Sequence, residues 1–84
     1  MDGNTVVVGI FEDRYQAEQA VDELEQAILH DPRESRAHYV LGVVTQRLGR
    51  TQEARTELEA FLGLAPSRYV PEIADAKTRL KQLH

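Results

Sequence analysis

The feature that most constrains this chain is a repeat in which Pro32 and Pro66 lie 34 residues apart. Each proline follows a segment with small and large apolar residues at matching offsets: Ala20, Leu24 and Ala27 before the first, Ala54, Leu58 and Phe61 before the second. A period of this length is typical of helix–turn–helix repeats that stack side by side. Such stacks function by presenting a surface. The period therefore favours a binding protein and leaves the partner open.

Apolar spacing predicts a mainly α-helical single domain of 84 residues with about four helices. Steps of three and four residues place these helices at 14–30, 36–48, 52–65 and 71–83. Pro32 ends the first helix, and Gly49 supplies a left-handed turn after the second. Gly42 lies inside the second helix at a cost of about 0.5–1 kcal/mol relative to alanine. We therefore expect another helix to pack closely against it.

Residues 5–11, Thr-Val-Val-Val-Gly-Ile-Phe, predict a different structure at the N-terminus. β-branched and aromatic residues favour strands, and three consecutive valines are poor helix formers. We predict a short strand or extended segment at 5–11, with Asp13 as the N-cap of the helix that follows. A lone strand leaves backbone groups unpaired, so this segment requires a partner.

The composition argues against several classes of function. The chain has no cysteine, which excludes disulfides and thiolate chemistry, and its net charge of −4 argues against generic nucleic-acid binding. Its apolar runs are too short to span a membrane, and its acidic first residues are unlike a secretory signal, so we expect a cytoplasmic protein. His30, His38 and His84 lack metal-ligand spacing, and no catalytic or cofactor-binding motif is present. We predict a non-enzymatic protein without metal or cofactor, in which His38 has a packing role.

Charge is unevenly distributed along the chain. Residues 1–34 carry nine acids and two arginines, a balance of −7, whereas 35–84 carry five acids and eight bases, a balance of +3. One interpretation is that the acidic first helix lies beside a basic second helix. The other is a basic face for an acidic peptide or a phosphate group.

Residues 35–68 resemble a tetratricopeptide repeat (TPR). The matching positions hold the residues that set helix packing in that family: His38, Leu41, Gly42, Gly49, Ala54, Leu58 and Pro66. The sequence departs from the family pattern at Thr45 and Phe61. Residues 14–34 resemble the second helix of a preceding repeat, and 71–84 resemble the helix that closes such arrays. The resemblance implies antiparallel helix hairpins of solenoid type and a protein–protein interaction function.

The resemblance also implies a partner-binding face on the helix at 36–48. The residues at the positions that line the groove in TPR proteins are Arg36, Tyr39, Val43 and Gln46, with Arg47 adjacent. Arginines could bind carboxylates of an acidic peptide in bidentate fashion, and the aromatic ring offers contact area. The carboxylate clamp that binds chaperones in some relatives needs lysine and asparagine where this chain has Tyr39 and Val43, which argues against that partner.

Two alternatives remain open at this stage. Solenoids typically need three or more repeats for a continuous core, and the chain has about one and a half. The segment at 5–11 could therefore pair with its copy and give a homodimer. Alternatively, Val7-Val8-Gly9-Ile10-Phe11 and the helix after it resemble the opening of small ferredoxin-like regulatory domains of bacterial stress proteins. That alternative predicts considerable strand content.

Overall fold

The computed structural model describes the backbone of residues 2–83 and the side chains of residues 14–83. The fold is mainly α-helical, with four helices: α1 Asp2–His30, α2 Ser35–Arg47, α3 Thr51–Leu64 and α4 Val70–Gln82. Each of α2, α3 and α4 begins and ends one residue earlier than the apolar spacing predicted. Residues 2–83 contain no strand, so the ferredoxin-like alternative does not fit the described backbone.

The structure contradicts the strand predicted at 5–11, because the backbone of these residues lies in α1. It also contradicts the predicted N-cap at Asp13, since the helix begins at Asp2. Strand preference spans only about 1 kcal/mol and depends strongly on context. Among residues 2–83 there is no second strand to pair with, whereas a helix that already covers 14–30 gains one hydrogen bond for each residue added. The helix therefore satisfies the backbone that a lone strand would leave unpaired.

Helices α2 and α3 form the most closely packed pair in the fold. A Cβ atom added at Gly42 would lie 2.7 Å from both Cγ and Cδ2 of Leu58, which is completely buried. This confirms the close helix contact that Gly42 predicted. The connection between the helices passes through Gly49 at a φ of 80°, the left-handed conformation expected at this turn.

Helices α1 and α4 pack on the outer sides of this pair. Helix α1 contacts α2 and buries Val21, and α4 contacts α3. One hydrophobic cluster joins α3 to the C-terminal end of the described chain; its buried members are Ala54, Leu58, Phe61, Ala76 and Leu83. The Arg55 guanidinium also donates to the Leu83 carbonyl. The helices are therefore packed in chain order.

The buried face of α2 differs from the predicted one, which comprised Ala37, Val40, Leu41, Val44 and Leu48. Ala37 and Leu41 are buried as expected, but the other three are only partly buried. Ser35, His38 and Thr45 are buried instead. The Thr45 hydroxyl donates to the Leu41 carbonyl at 2.7 Å. A polar side chain with an internal partner can occupy a core position, and apolar spacing alone misses it.

Candidate partner-binding surface of helix α2

The five residues predicted to bind a partner lie on α2 in two different environments. Arg36 and Arg47 are exposed, whereas Tyr39, Val43 and Gln46 are partly buried. Helix α4 accounts for much of this difference, because it contacts both Tyr39 and Gln46. The predicted face is thus partly used within the fold.

Tyr39 connects the hydrophobic cluster to α4. Its ring centroid lies 5.0 Å from that of Phe61, with the two rings tilted by 46°. Its hydroxyl donates to Oδ2 of Asp75 at 2.6 Å. Burial and the hydrogen bond to Asp75 raise the pKa of Tyr39, so the hydroxyl remains a protonated donor at neutral pH. Tyr39 therefore has a structural role, whether or not it also touches a partner.

The hydrogen bond from Tyr39 begins a polar network between α2 and α4. Nε of Arg79 donates to the same Asp75 oxygen at 2.6 Å, and another guanidinium nitrogen of Arg79 donates to Oε1 of Gln46 at 2.8 Å. The Gln46 amide in turn lies 3.4 Å from Oε1 of Gln82. The hydrogen bonds from Tyr39 and from Arg79 lower the pKa of Asp75, because both stabilise its ionised form. Asp75 is therefore a carboxylate at neutral pH.

A shallow cleft lies between α2 and α4, close to their N-terminal ends. Its lining residues are Arg36, Tyr39, Phe61, Tyr69 and Glu72, and its volume is about 150 Å³ including the open mouth. The space is too shallow to enclose a water molecule. It therefore fits a side chain resting on the surface better than an enclosed small molecule.

Aromatic rings and cations meet at this cleft. The Tyr69 ring stacks on Phe61 with centroids 6.3 Å apart, and the Arg68 guanidinium lies 5.1 Å from the Tyr69 ring centre. Arg36 is exposed at the cleft and forms no hydrogen bond or ion pair with the described residues. Two of the predicted residues, Arg36 and Tyr39, line this cleft, and so do Tyr69 and Glu72, which the sequence did not indicate. These two lie outside the repeat positions on which the prediction was based.

The described side chains contain no group of three or more histidines, aspartates or glutamates arranged to hold a metal ion. Within the same part of the chain, none of the helices has both the length and the apolar character needed to cross a membrane.

Comparison of the chain with family models, with curated proteins and with solved structures gives no match.

Proposed function

We propose that this chain is a non-catalytic interaction domain of TPR-like type that binds an acidic segment of a partner protein at the cleft between α2 and α4. The observation that carries the proposal is the position of Arg36. Its guanidinium is exposed, lies beside aromatic side chains, and forms no ion pair with the described residues. Arginine beside aromatic surface is a common composition of the energetically dominant part of protein interfaces.

The α2–α3 hairpin supports the TPR-like part of this proposal. The close contact of Gly42 with Leu58, the completely buried Ala54 and the left-handed turn at Gly49 are what helix hairpins of this kind require.

The charges around the cleft define the chemistry of the partner. Arg36 can donate two hydrogen bonds to one carboxylate, while Glu72 on the other wall disfavours a second acid. The partner segment should therefore place an aspartate, a glutamate or a terminal carboxylate near Arg36 and a hydrogen-bond donor or cation near Glu72. Tyr69 and the accessible edge of Tyr39 supply apolar contact area between these two ends.

Val43, Gln46 and Arg47 extend the same face of α2 towards its C-terminal end. Gln46 already binds Arg79, so it serves a partner only if that hydrogen bond is exchanged. We therefore assign the primary contact to Arg36 and Tyr39 and a flanking contact to the other three.

Selection of peptides from a random displayed library tests the proposal. We expect the selected sequences to be enriched in acidic residues. Arg36→Glu should weaken their binding by roughly 10- to 150-fold, the loss expected for a charged hydrogen-bonding pair worth about 1.5–3 kcal/mol. Arg33→Glu is the matched control, because Arg33 is exposed on the preceding turn and does not line the cleft.

Two results would contradict the proposal. One is a set of selected peptides without acidic enrichment. The other is equal loss of binding in the two variants, which would indicate an effect of net charge and not of the cleft.

The homodimer alternative required a strand at 5–11, and the backbone there is helical. Self-association by another route would have to use exposed apolar side chains such as Leu29 and Val70. Sedimentation equilibrium measures it directly: a monomer at high micromolar concentration would remove the dimer from consideration.

A further inference from the structure

His38 is buried where α2, α3 and the α1–α2 turn meet. Its side chain is 10% exposed, and Nδ1 lies 2.7 Å from a carboxylate oxygen of Glu57 on α3. Its Nε2 lies 2.8 Å from the backbone carbonyl oxygen of Pro32 in the turn. Both ring nitrogens therefore face oxygen atoms at hydrogen-bonding distance, on opposite sides of the ring.

The chemistry of these two oxygen atoms determines which ring nitrogens of His38 must carry a proton. A backbone carbonyl has no proton to donate, and an ionised carboxylate is likewise only an acceptor. A neutral imidazole has one N–H group and one lone pair, so it could satisfy only one of the two oxygens. The observed geometry is satisfied when both nitrogens carry a proton and the positive ring is paired with the Glu57 carboxylate.

We propose that His38 is a proton-dependent link between the α1–α2 turn and α3. With both nitrogens protonated, the ring donates to Glu57 and to Pro32 at the same time. When Nε2 releases its proton to solvent, the hydrogen bond to the Pro32 carbonyl is lost and two lone pairs face each other. The Nδ1 hydrogen bond to Glu57 remains, so the turn at 31–34 is released while the ring stays attached to α3.

The surroundings of the ring give the direction of the pH dependence. Glu57 is the charged group that α3 places against the ring, and the turn contributes the uncharged Pro32 carbonyl; the Asp31 and Glu34 carboxylates of the turn are exposed. Burial lowers the pKa of His38, but the hydrogen bond to Pro32 and the contact with Glu57 outweigh it, so the pKa is raised. The folded state then holds the proton more tightly than the unfolded state. The stabilisation is complete below about pH 6.5 and is lost as the pH rises through the raised pKa.

Nuclear magnetic resonance of the wild-type chain with ¹⁵N-labelled histidine tests the proposal without any risk of misfolding. His30→Gln and His84→Gln assign the His38 signals. We expect both His38 ring nitrogens to be protonated at pH 6 and Nε2 to lose its proton with a midpoint above about 6.5, the value for a free imidazole. A midpoint at or below that value overturns the proposal. So does an unprotonated Nδ1 at pH 6, which would place the proton on Glu57.

Hydrogen exchange tests the release of the turn. The Glu34 amide donates to the Asp31 carbonyl at 3.1 Å, and the Gly49 amide in the α2–α3 turn makes a matched bond of 3.0 Å to Gln46. As the pH passes the His38 midpoint, exchange at Glu34 should accelerate more than exchange at Gly49. Equal acceleration at the two turns would show that His38 does not hold the first one.

A charge-removing variant separates this link from another proton-binding contact. A hydrogen bond to Glu53 raises the pKa of Glu25, so global stability also responds to pH through α1. Glu57→Gln should lower the His38 midpoint, whereas Glu25→Gln should leave it unchanged. The reverse pattern would contradict the assignment of Glu57 as the partner of the ring.

Discussion

Helix α2 contacts α3 and α4 by different physical means. Against α3 it presents Gly42, which brings the helices close enough for Leu58 to fill the space completely. Towards α4 it presents Tyr39 and Gln46, which form hydrogen bonds with side chains that are only partly buried. The first contact depends on apolar burial, which is nearly independent of salt and pH. The second is screened by solvent and depends on the charge of Asp75. The fold therefore combines an apolar contact between α2 and α3 with a polar contact between α2 and α4.

The largest expected effect on stability comes from truncating a buried side chain in the contact between α2 and α3. Leu58→Ala removes a completely buried side chain and should cost about 2–5 kcal/mol, a large part of the roughly 4–13 kcal/mol expected for a chain of this length. Urea denaturation followed by circular dichroism measures the loss. Leu29→Ala is the control, because Leu29 is 75% exposed and its replacement should change stability by about 0.5 kcal/mol or less. Similar losses in both variants would mean that α2 and α3 are not closely packed.

Gly42→Ala tests the same contact between α2 and α3 by adding a methyl group on α2. The added Cβ would lie 2.7 Å from Leu58 Cγ and 3.3 Å from the Leu58 backbone nitrogen. Overpacking costs about 1–3 kcal/mol and the gain in helix propensity returns about 1 kcal/mol, so we expect a net loss of up to about 2 kcal/mol. Combining this change with Leu58→Ala should cost less than the sum of the two, because the smaller side chain makes room. Strict additivity in urea denaturation would contradict the direct contact.

These two contacts also differ in how much of them could be predicted from the sequence. Gly42, Gly49 and Ala54 have conformational or steric requirements that are visible at their own positions, so the repeat period and apolar spacing were enough to predict the hairpin. Tyr39 and Asp75 are 36 residues apart, and no local pattern indicates that they would meet. Apolar spacing also missed the buried Thr45, whose hydroxyl bonds to a carbonyl of its own helix, and the packing role predicted for His38 did not reveal its partners Glu57 and Pro32. At residues 5–11 strand preference was misleading, because the segment continues a helix.

The contact between α2 and α4 can be weakened by neutralising the Asp75 carboxylate. Asp75→Asn should cost about 1 kcal/mol and not more, since the Asp75 side chain is 37% exposed and its interactions with Tyr39 and Arg79 are screened. The lowered pKa of Asp75 means that the wild type keeps this stabilisation above about pH 3.9 and loses it as the pH falls through the folded-state pKa. Urea denaturation at pH 7 and at pH 3 measures both effects. A difference between variant and wild type that is the same at both pH values would contradict the role of the charge.

Salt distinguishes the two contacts in the same experiment. Raising the ionic strength should reduce the cost of Asp75→Asn and leave the cost of Leu58→Ala nearly unchanged. If both costs respond equally to salt, the contrast between the two sides of α2 is wrong.

The smallest expected effect comes from Tyr39→Phe, which keeps the ring on Phe61 and removes only the hydroxyl. Asp75 retains its bond from Arg79, so the loss should be about 0.5 kcal/mol. Ultraviolet titration of wild type and variant provides a second measurement: the variant should lack the tyrosine with the raised pKa. A loss as large as that of Leu58→Ala would show that α4 is held mainly by this hydroxyl.

The absence of a side chain at Gly42 also bears on the cleft between α2 and α4. One wall of the Arg36–Glu72 cleft belongs to α2, and the other belongs to α4, which packs on α3. A Cβ atom at position 42 would lie 2.7 Å from Cγ of Leu58, so we expect a side chain there to move α2 away from α3 wherever Leu58 does not yield, and the two walls with them. We therefore expect cleft width to respond to a residue that does not line the cleft, so that a larger side chain at position 42 would alter the binding proposed for Arg36.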